Sequence, residues 1–241
     1  MTDDVIKSLY DKFIKGWLKK NYKFLLVILI YLMYQGNFLI ALLSSLGLSI
    51  SSLSKNLRMV CLIINDLTYV IVLLLMFKSE IKNGLLDLKN HFTNRAILSL
   101  NCWIAGCLIM TISSIIISLI VKKDVSNNEA IVRQSIQLAP FYMLFTCSIV
   151  APVIEEMVFR RALYGLIKFK WLFILVSGLG FGLLHVLGSN PAPLDYLYVI
   201  PYGSMGCAFA YLLSRTKNIT LPIIIHMIHN TILVIVQIIG G

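Results

Sequence analysis

Apolar runs long enough to cross a bilayer recur along almost the whole sequence, and they leave few folds open to it. A helical span needs about 20 consecutive apolar residues. Such runs are read at roughly residues 24–43, 57–77, 97–121, 136–167, 171–188, 195–213 and 219–239. The expected fold is therefore an all-α membrane protein, a polytopic helical bundle of about seven transmembrane helices, with six to eight as the range. Composition agrees: 59% of the 241 residues are hydrophobic and only 13% charged, and the mean hydropathy of +0.86 is far above that of a soluble domain. The net charge of +10 does not point to nucleic acid, because the basic residues stand at the ends of apolar segments rather than on one face. Counted on alternate sides of the expected spans, Lys and Arg divide sixteen against five. That asymmetry predicts a multi-pass cell-membrane protein with a cytoplasmic N-terminus and an extracytoplasmic C-terminus.

Ahead of the first span, residues 3–20 carry apolar pairs at Val5/Ile6, Leu9/Tyr10, Phe13/Ile14 and Trp17/Leu18, a rhythm that draws one apolar stripe along a helix. Lys7, Lys12, Lys15, Lys19 and Lys20 decorate the remainder. Residues 1–23 are thus expected to form a basic amphipathic segment lying on anionic headgroups. Residues 24–135 are read as N-terminal transmembrane helices, and 136–241 as the region that carries the chemistry. The five cysteines lie in apolar runs without C-x-x-C spacing and are read as small buried hydrophobes. Asn218-Ile219-Thr220 matches a glycosylation sequon but falls on the expected cytoplasmic side.

Leaving aside basic residues at span ends, the ionisable side chains within the spans are Asp66, Glu155, Glu156, Arg160, His185, His226 and His229. Charges at bilayer depth cost about 2.5–3.5 kcal/mol or more each, so they face a cavity or a partner. Glu156 and Arg160 are four apart and share a helix face, the spacing of an ion pair. Glu155 is turned about 100° away, leaving it available to accept a proton. Pro152 removes a backbone donor, which predicts a kink or break just before the glutamates. His226 and Asn230 share a face and can both donate hydrogen bonds to one point, as a developing oxyanion requires. His185, four residues after Phe181, is by itself more often a packing residue than a catalyst. His229 lies off the His226 face and is expected to bond across helices. Depths counted along the helices place Glu155, His185, His226 and Asn230 together between the middle and the cytoplasmic half of the membrane, in a cavity open to the cytoplasm.

Taken in order, Glu155-Glu156 with Arg160 (E-E-x-x-x-R), Phe181 with His185 (F-x-x-x-H) and His226 with Asn230 (H-x-x-x-N) resemble the motifs of the CAAX protease and bacteriocin-processing family of intramembrane endopeptidases. The resemblance covers about residues 150–232. Arg161 departs from it, since many bacterial relatives carry glycine there. The resemblance implies peptide-bond hydrolysis: Glu155 and His185 activate water, His226 and Asn230 hold the oxyanion, and Glu156 and Arg160 support the site. Its substrate would be a small peptide precursor or a lipid-modified protein, in bacteriocin or signalling-peptide maturation or self-immunity.

No cofactor is required in this reading. The alternative is a zinc ion on Glu155, His185 and His226, although the chain lacks H-E-x-x-H. Two other functions compete, a non-catalytic immunity protein and an ion-coupled transporter, for which buried acids and histidines would serve as a proton relay. Ser204 in Gly203-Ser204-Met205-Gly206 invites a serine–histidine dyad, against which Gly206 and Ala210 have the small-residue spacing of close helix packing. Asp66 with Asn65 sits outside every motif, either bonding to another helix or lining the cavity.

Overall fold

The computed structural model describes Tyr10, residues 14–48 and residues 50–240. Most of the expected interfacial segment, residues 1–9 and 11–13, lies outside these. From Ile14 the chain is already helical and passes without a break into α1 (Gly16–Gln35), so the described part has no boundary at residue 23. At Gly36 and Asn37 the chain bends by 60° into α2 (Phe38–Ser45). Asn37 takes a left-handed conformation with φ 49°. The first span is therefore a bent pair rather than one rod.

The other apolar runs become α3 (Lys55–Met76), α5 (Phe92–Val121), the composite helix α7 (Pro140–Leu166), α8 (Lys170–Leu187), a 3-10 turn (Pro193–Tyr198) leading into α9 (Val199–Thr216), and α10 (Thr220–Gly240). Among the described residues six segments are long and apolar enough to cross a membrane, or up to seven with the bent pair. Two shorter helices lie between them: α4 (Lys78–Asn90) and α6 (Asn127–Leu138). Ser126 caps α6, accepting the Glu129 backbone N–H at 3.1 Å. The outer surface of α5 is apolar, with Leu100, Ile104, Leu108, Ile112, Ile115 and Leu119 all exposed, as hydrocarbon requires.

Helix α9 runs through the centre of the motif-bearing region and touches α8 at backbone distance. A Cβ on Gly178 would sit 2.9 Å from Gly203 O, one on Gly182 2.5 Å from Val199 O, and one on Gly206 2.9 Å from Gly178 Cα. Small residues four apart on both helices allow this approach, as the Gly206 and Ala210 spacing predicts. Ser204 belongs to the same packing. Its hydroxyl is 2.7 Å from Pro201 O and 3.2 Å from Gly106 O, so its proton is directed at carbonyls.

The lysine-rich end is closed by α4, a helix the span-based reading passes over. Asn218 Nδ2 donates to Gly84 O at 2.8 Å and to Asp87 Oδ2 at 2.9 Å, which buries the sequon asparagine. Arg95 forks onto Asp87 at 2.8 and 2.9 Å. Arg161 forks onto Glu80, with Nη2 2.9 Å from Oε1. Hydrogen bonding from Arg95 first, and from Asn218, outweighs a smaller opposing effect of burial and holds the Asp87 carboxyl below its ordinary pKa.

Candidate active site

Helix α7 changes its winding twice around the glutamates. Residues Thr146–Val150 and Glu156–Ala162 are π-helical, and Ala151–Glu155 between them is α-helical. Pro152 has no N–H to give and its ring crowds the preceding turn. The wider i→i+5 winding on its N-terminal side absorbs that defect. The helix thus stays one span, and the disturbance expected at Pro152 takes the form of a local widening that presents Glu155 and Glu156 side by side.

The two acids meet different surroundings. Glu156 is fully buried, and its Oε1 lies 2.8 Å from His226 Nδ1. A carboxylate can only accept, so Nδ1 carries the proton and His226 keeps Nε2 for the other side. That atom lies 3.9 Å from Glu155 Oε2. His226 of α10 therefore stands between both glutamates.

Arg160 closes the inner side. It too is fully buried, with Nε 3.1 Å from Glu156 Oε2. The contact is an ion pair without hydrogen-bond alignment, and Nη1 and Nη2 have no hydrogen-bond partner among the described residues. The guanidinium is instead covered by the rings of Phe181 and Phe209, 4.4 and 5.5 Å from its carbon. Cation–π attraction in a dry site contributes about 2 kcal/mol.

His185 projects from the C-terminal part of α8 between two rings. Phe181 is tilted at 4.5 Å between centroids, and Tyr202 is stacked at 4.7 Å and 21°. Its Nδ1 is 2.9 Å from Phe181 O, and because a carbonyl only accepts, Nδ1–H donates and the Nε2 lone pair is left free. The Tyr202 hydroxyl meets Ser126 Oγ at 2.7 Å and accepts from Asn128 Nδ2 at 3.3 Å. Asn230 Nδ2 donates one hydrogen to Cys147 O at 2.9 Å, which leaves its second hydrogen unused there.

Glu155, His185, His226 and Asn230 all line one cavity of about 440 Å³. Its remaining wall includes Met110, Cys147, Phe181, Met205, Phe209 and Leu233. Glu156 and Arg160 stand behind this wall. The depth count predicts a cavity open at the lysine-rich, cytoplasmic end, but the cavity does not run there. It extends instead to Asp124, Ser126, Asn128 and Glu129, at the turn between α5 and α6. The depth count treats every helix as perpendicular and cannot see which end the side chains plug.

The other ionisable residues hold helices together. Trp103 Nε1 donates to His229 Nδ1 at 3.2 Å, the inter-helix bond expected of that histidine. Asp66 accepts from Tyr142 and Thr146 at 3.0 and 3.2 Å, tying α3 to α7. Among the described residues no three His, Cys, Asp or Glu side chains are gathered to hold a metal ion. Glu155, His185 and His226 do not fit zinc as they stand. Sequence reasoning misses Tyr202, Ser126 and Asn128, since no spacing links residues so far apart along the chain.

Residues 137–232 match the family model described as type II CAAX prenyl endopeptidase Rce1-like. The chain is 36% identical over 115 residues to YdiL of Bacillus subtilis (strain 168), whose name marks it as a candidate membrane peptidase; the match covers 46% of this chain and 43% of that protein. It is 29% identical over 137 residues to the membrane-embedded CAAX protease MroQ of Staphylococcus aureus (strain USA300), covering 54% and 53%. A third relative, the UPF0177 protein in the abiGi 5′ region of Lactococcus lactis subsp. cremoris, is 32% identical over 103 residues, covering 42% and 41%. The chain thus spans about half the length of these relatives, and no solved structure matches it. The matched stretch contains all three motifs and every residue of the buried Glu156–Arg160–His226 group, so this part of the chain is similar to the Rce1-like membrane endopeptidases.

Proposed function

We propose that the protein is an intramembrane endopeptidase that hydrolyses a peptide bond with water activated by Glu155. The observation that carries this reading is the convergence of Glu155, His185, His226 and Asn230 from three helices on one cavity. Glu155 Oε2 takes a proton from a water that the His185 Nε2 lone pair helps orient. The water oxygen attacks the scissile carbonyl carbon. The oxyanion that forms accepts from His226 Nε2–H and from the second Asn230 hydrogen. With Nδ1–H already given to Glu156, a donating Nε2 makes His226 an imidazolium. Glu155 then passes its proton to the amide nitrogen, the C–N bond breaks, and a carboxylic acid and an amine leave. Glu156 and Arg160 act through His226, which they hold in place.

The substrate class this supports is a small peptide precursor or membrane-associated peptide. The test compares the secreted and membrane-retained peptides of cells carrying the native protein with those of cells carrying Glu155→Ala or His185→Ala at equal membrane levels. The reading expects a precursor to accumulate with both variants. Identical peptide profiles across all three strains would refute it. Protection against a bacteriocin that survives both substitutions would instead favour a binding immunity protein, and ion flux in proteoliposomes lost with both would favour a transporter.

A further inference from the structure

We infer that the cavity is loaded from the extracytoplasmic face, so that the peptide it takes is presented on the outer side of the membrane. The inference rests on reading the cavity as a peptidase site, and three observations carry it.

The first is the position of the mouth. The polar residues at the rim, Asp124, Ser126, Asn128 and Glu129, come from the α5–α6 turn and the first turn of α6, with Gln237 from the C-terminal part of α10. No residue of α4, of the α7–α8 connection or of the α9–α10 connection lines the cavity.

The second is the opposite end, which is sealed at two levels. Beneath Glu155 the packing is complete, with Glu156, Met157, Arg160, Ala162 and Phe173 all at 0% exposure. Beneath that layer α4 is fastened across the bundle by the Asn218–Gly84, Asn218–Asp87, Arg95–Asp87 and Arg161–Glu80 contacts. A Cβ on Gly84 would lie 2.3 Å from Asn218 Oδ1 and from Thr220 Oγ1, so no passage runs between α4 and the α9–α10 turn.

The third is charge. Nine Lys and Arg residues stand at the sealed end, on α4, at the start of α5 and around the α7–α8 and α9–α10 connections, against five at the open end. There Lys123 pairs with Asp195 at 2.7 Å and Arg133 with Glu129 at 2.8 Å. Basic residues near short loops are retained in the cytoplasm, which fixes the open end outside.

These observations also narrow the substrate. A tail anchored by its lipid in the cytoplasmic leaflet would meet the packed floor and not Glu155. A peptide segment at the outer leaflet meets a polar rim and then the apolar wall of Met110, Met205 and Leu233. The substrate class is therefore an apolar peptide stretch that has already been inserted or exported.

Accessibility labelling tests this without needing the substrate. In the full-length protein Cys147 on the cavity wall is kept, and Cys61, Cys102, Cys107 and Cys207 are replaced by alanine. Two further variants lacking Cys147 carry one reporter each, Asp124→Cys at the rim or Lys82→Cys on α4. A sulfonated, membrane-impermeant maleimide is applied to intact cells and to permeabilised cells, with N-ethylmaleimide as the reference for full reaction. The expected result is that Asp124→Cys and Cys147 label as fully in intact as in permeabilised cells, while Lys82→Cys labels only after permeabilisation. Labelling of Lys82→Cys in intact cells with protection of Asp124→Cys would overturn the orientation. Labelling of Asp124→Cys in intact cells, with Cys147 reached by the impermeant maleimide only after permeabilisation, would overturn the loading route. Glu155→Ala is carried through the same assay. If the labelling pattern holds while Glu155→Ala leaves the cellular peptides unchanged, the access route stands and the peptidase reading falls.

Discussion

Replacing Glu156 by glutamine is the most informative perturbation of the site, because the change is nearly isosteric and removes one charge from a fully enclosed group. In the native protein the Glu156 carboxylate faces Arg160 Nε at 3.1 Å and His226 Nδ1 at 2.8 Å, and both Glu156 and Arg160 have no exposure. Breaking a buried ion pair by removing one partner costs about 3–5 kcal/mol, since the other charge is left uncompensated. Here the stranded group is a guanidinium whose Nη1 and Nη2 already lack hydrogen-bond acceptors. Its remaining support is the two aromatic faces, which return about 2 kcal/mol, and a glutamine oxygen still accepts from His226. The expected net loss is about 1–3 kcal/mol, or roughly 5-fold to 150-fold in the folded-to-unfolded ratio. Arg160→Met alone strands the carboxylate and should cost a similar amount. The pair Glu156→Gln/Arg160→Met removes both charges and should recover most of the loss, because a well-packed apolar replacement for a buried pair is often neutral. The assay is reversible unfolding in mixed detergent micelles, read by tryptophan fluorescence as a double-mutant cycle. Strictly additive losses, or a Glu156→Gln variant as stable as the native protein, would refute the claim that this pair is a mutually dependent unit.

Other consequences follow from the same geometry. Tyr202→Phe keeps the ring on His185 and loses the hydroxyl bonds to Ser126 and Asn128, so the cleavage rate should fall by at most about tenfold. Tyr202→Leu frees the imidazole and should lower kcat by about 100-fold with KM little changed; a KM effect alone would refute a positioning role. Asp87 has a depressed pKa, so its contribution to the α4 closure is full above the ordinary aspartate value of about 3.9 and is lost as pH falls through the folded value. Native protein should therefore lose more stability between pH 5 and strongly acidic conditions, on the order of pH 2, than Asp87→Asn does; parallel profiles would refute this. Chelation of purified protein should leave cleavage unchanged, whereas a loss restored only by zinc would require Glu155, His185 and His226 to close up from the positions they hold here.

Much of the helical framework is legible in the sequence because a span is a property of consecutive residues. The runs around 57–77 and 219–239 emerge as helices within a few residues of their expected ends. The Glu156–Arg160 pair is likewise local, and four-residue spacing exposes it. Spacing cannot show that His226 turns its Nδ1 to Glu156 rather than offering both nitrogens to the cavity, since that depends on how α10 rotates against α7. Nor does it show that His185 on α8 is clasped by Tyr202 on α9 and reached through it by Ser126 and Asn128 at the start of α6. The α4 closure was hidden for another reason. Its lysines read as span-end charges that orient the chain, while the residues that fasten it, Gly84 and Asp87, find partners more than 130 positions away. Arg161 likewise finds its partners only in the fold, pairing with Glu80 on that helix and lying over the rings of Phe24 and Phe77.

The proposed roles also fit the charge balance of a dry site. In the proposed roles His226 donates from both ring nitrogens and so carries a positive charge, which together with Arg160 offsets the charges of Glu155 and Glu156. Proton transfer from water to Glu155 neutralises that carboxylate as the oxyanion appears. One negative charge thus moves across the cavity without changing the total. His226 serves both arrangements, with Nε2 3.9 Å from Glu155 at rest and directed at the oxyanion afterwards, while its Nδ1–H stays on Glu156 throughout. In a low-dielectric environment a step that conserves charge and only shifts it between neighbours of one fixed cation avoids the solvation cost that a net change would incur. On this reading the two adjacent glutamates have separate tasks. One acid holds the cation in place, and the other exchanges its charge with the substrate.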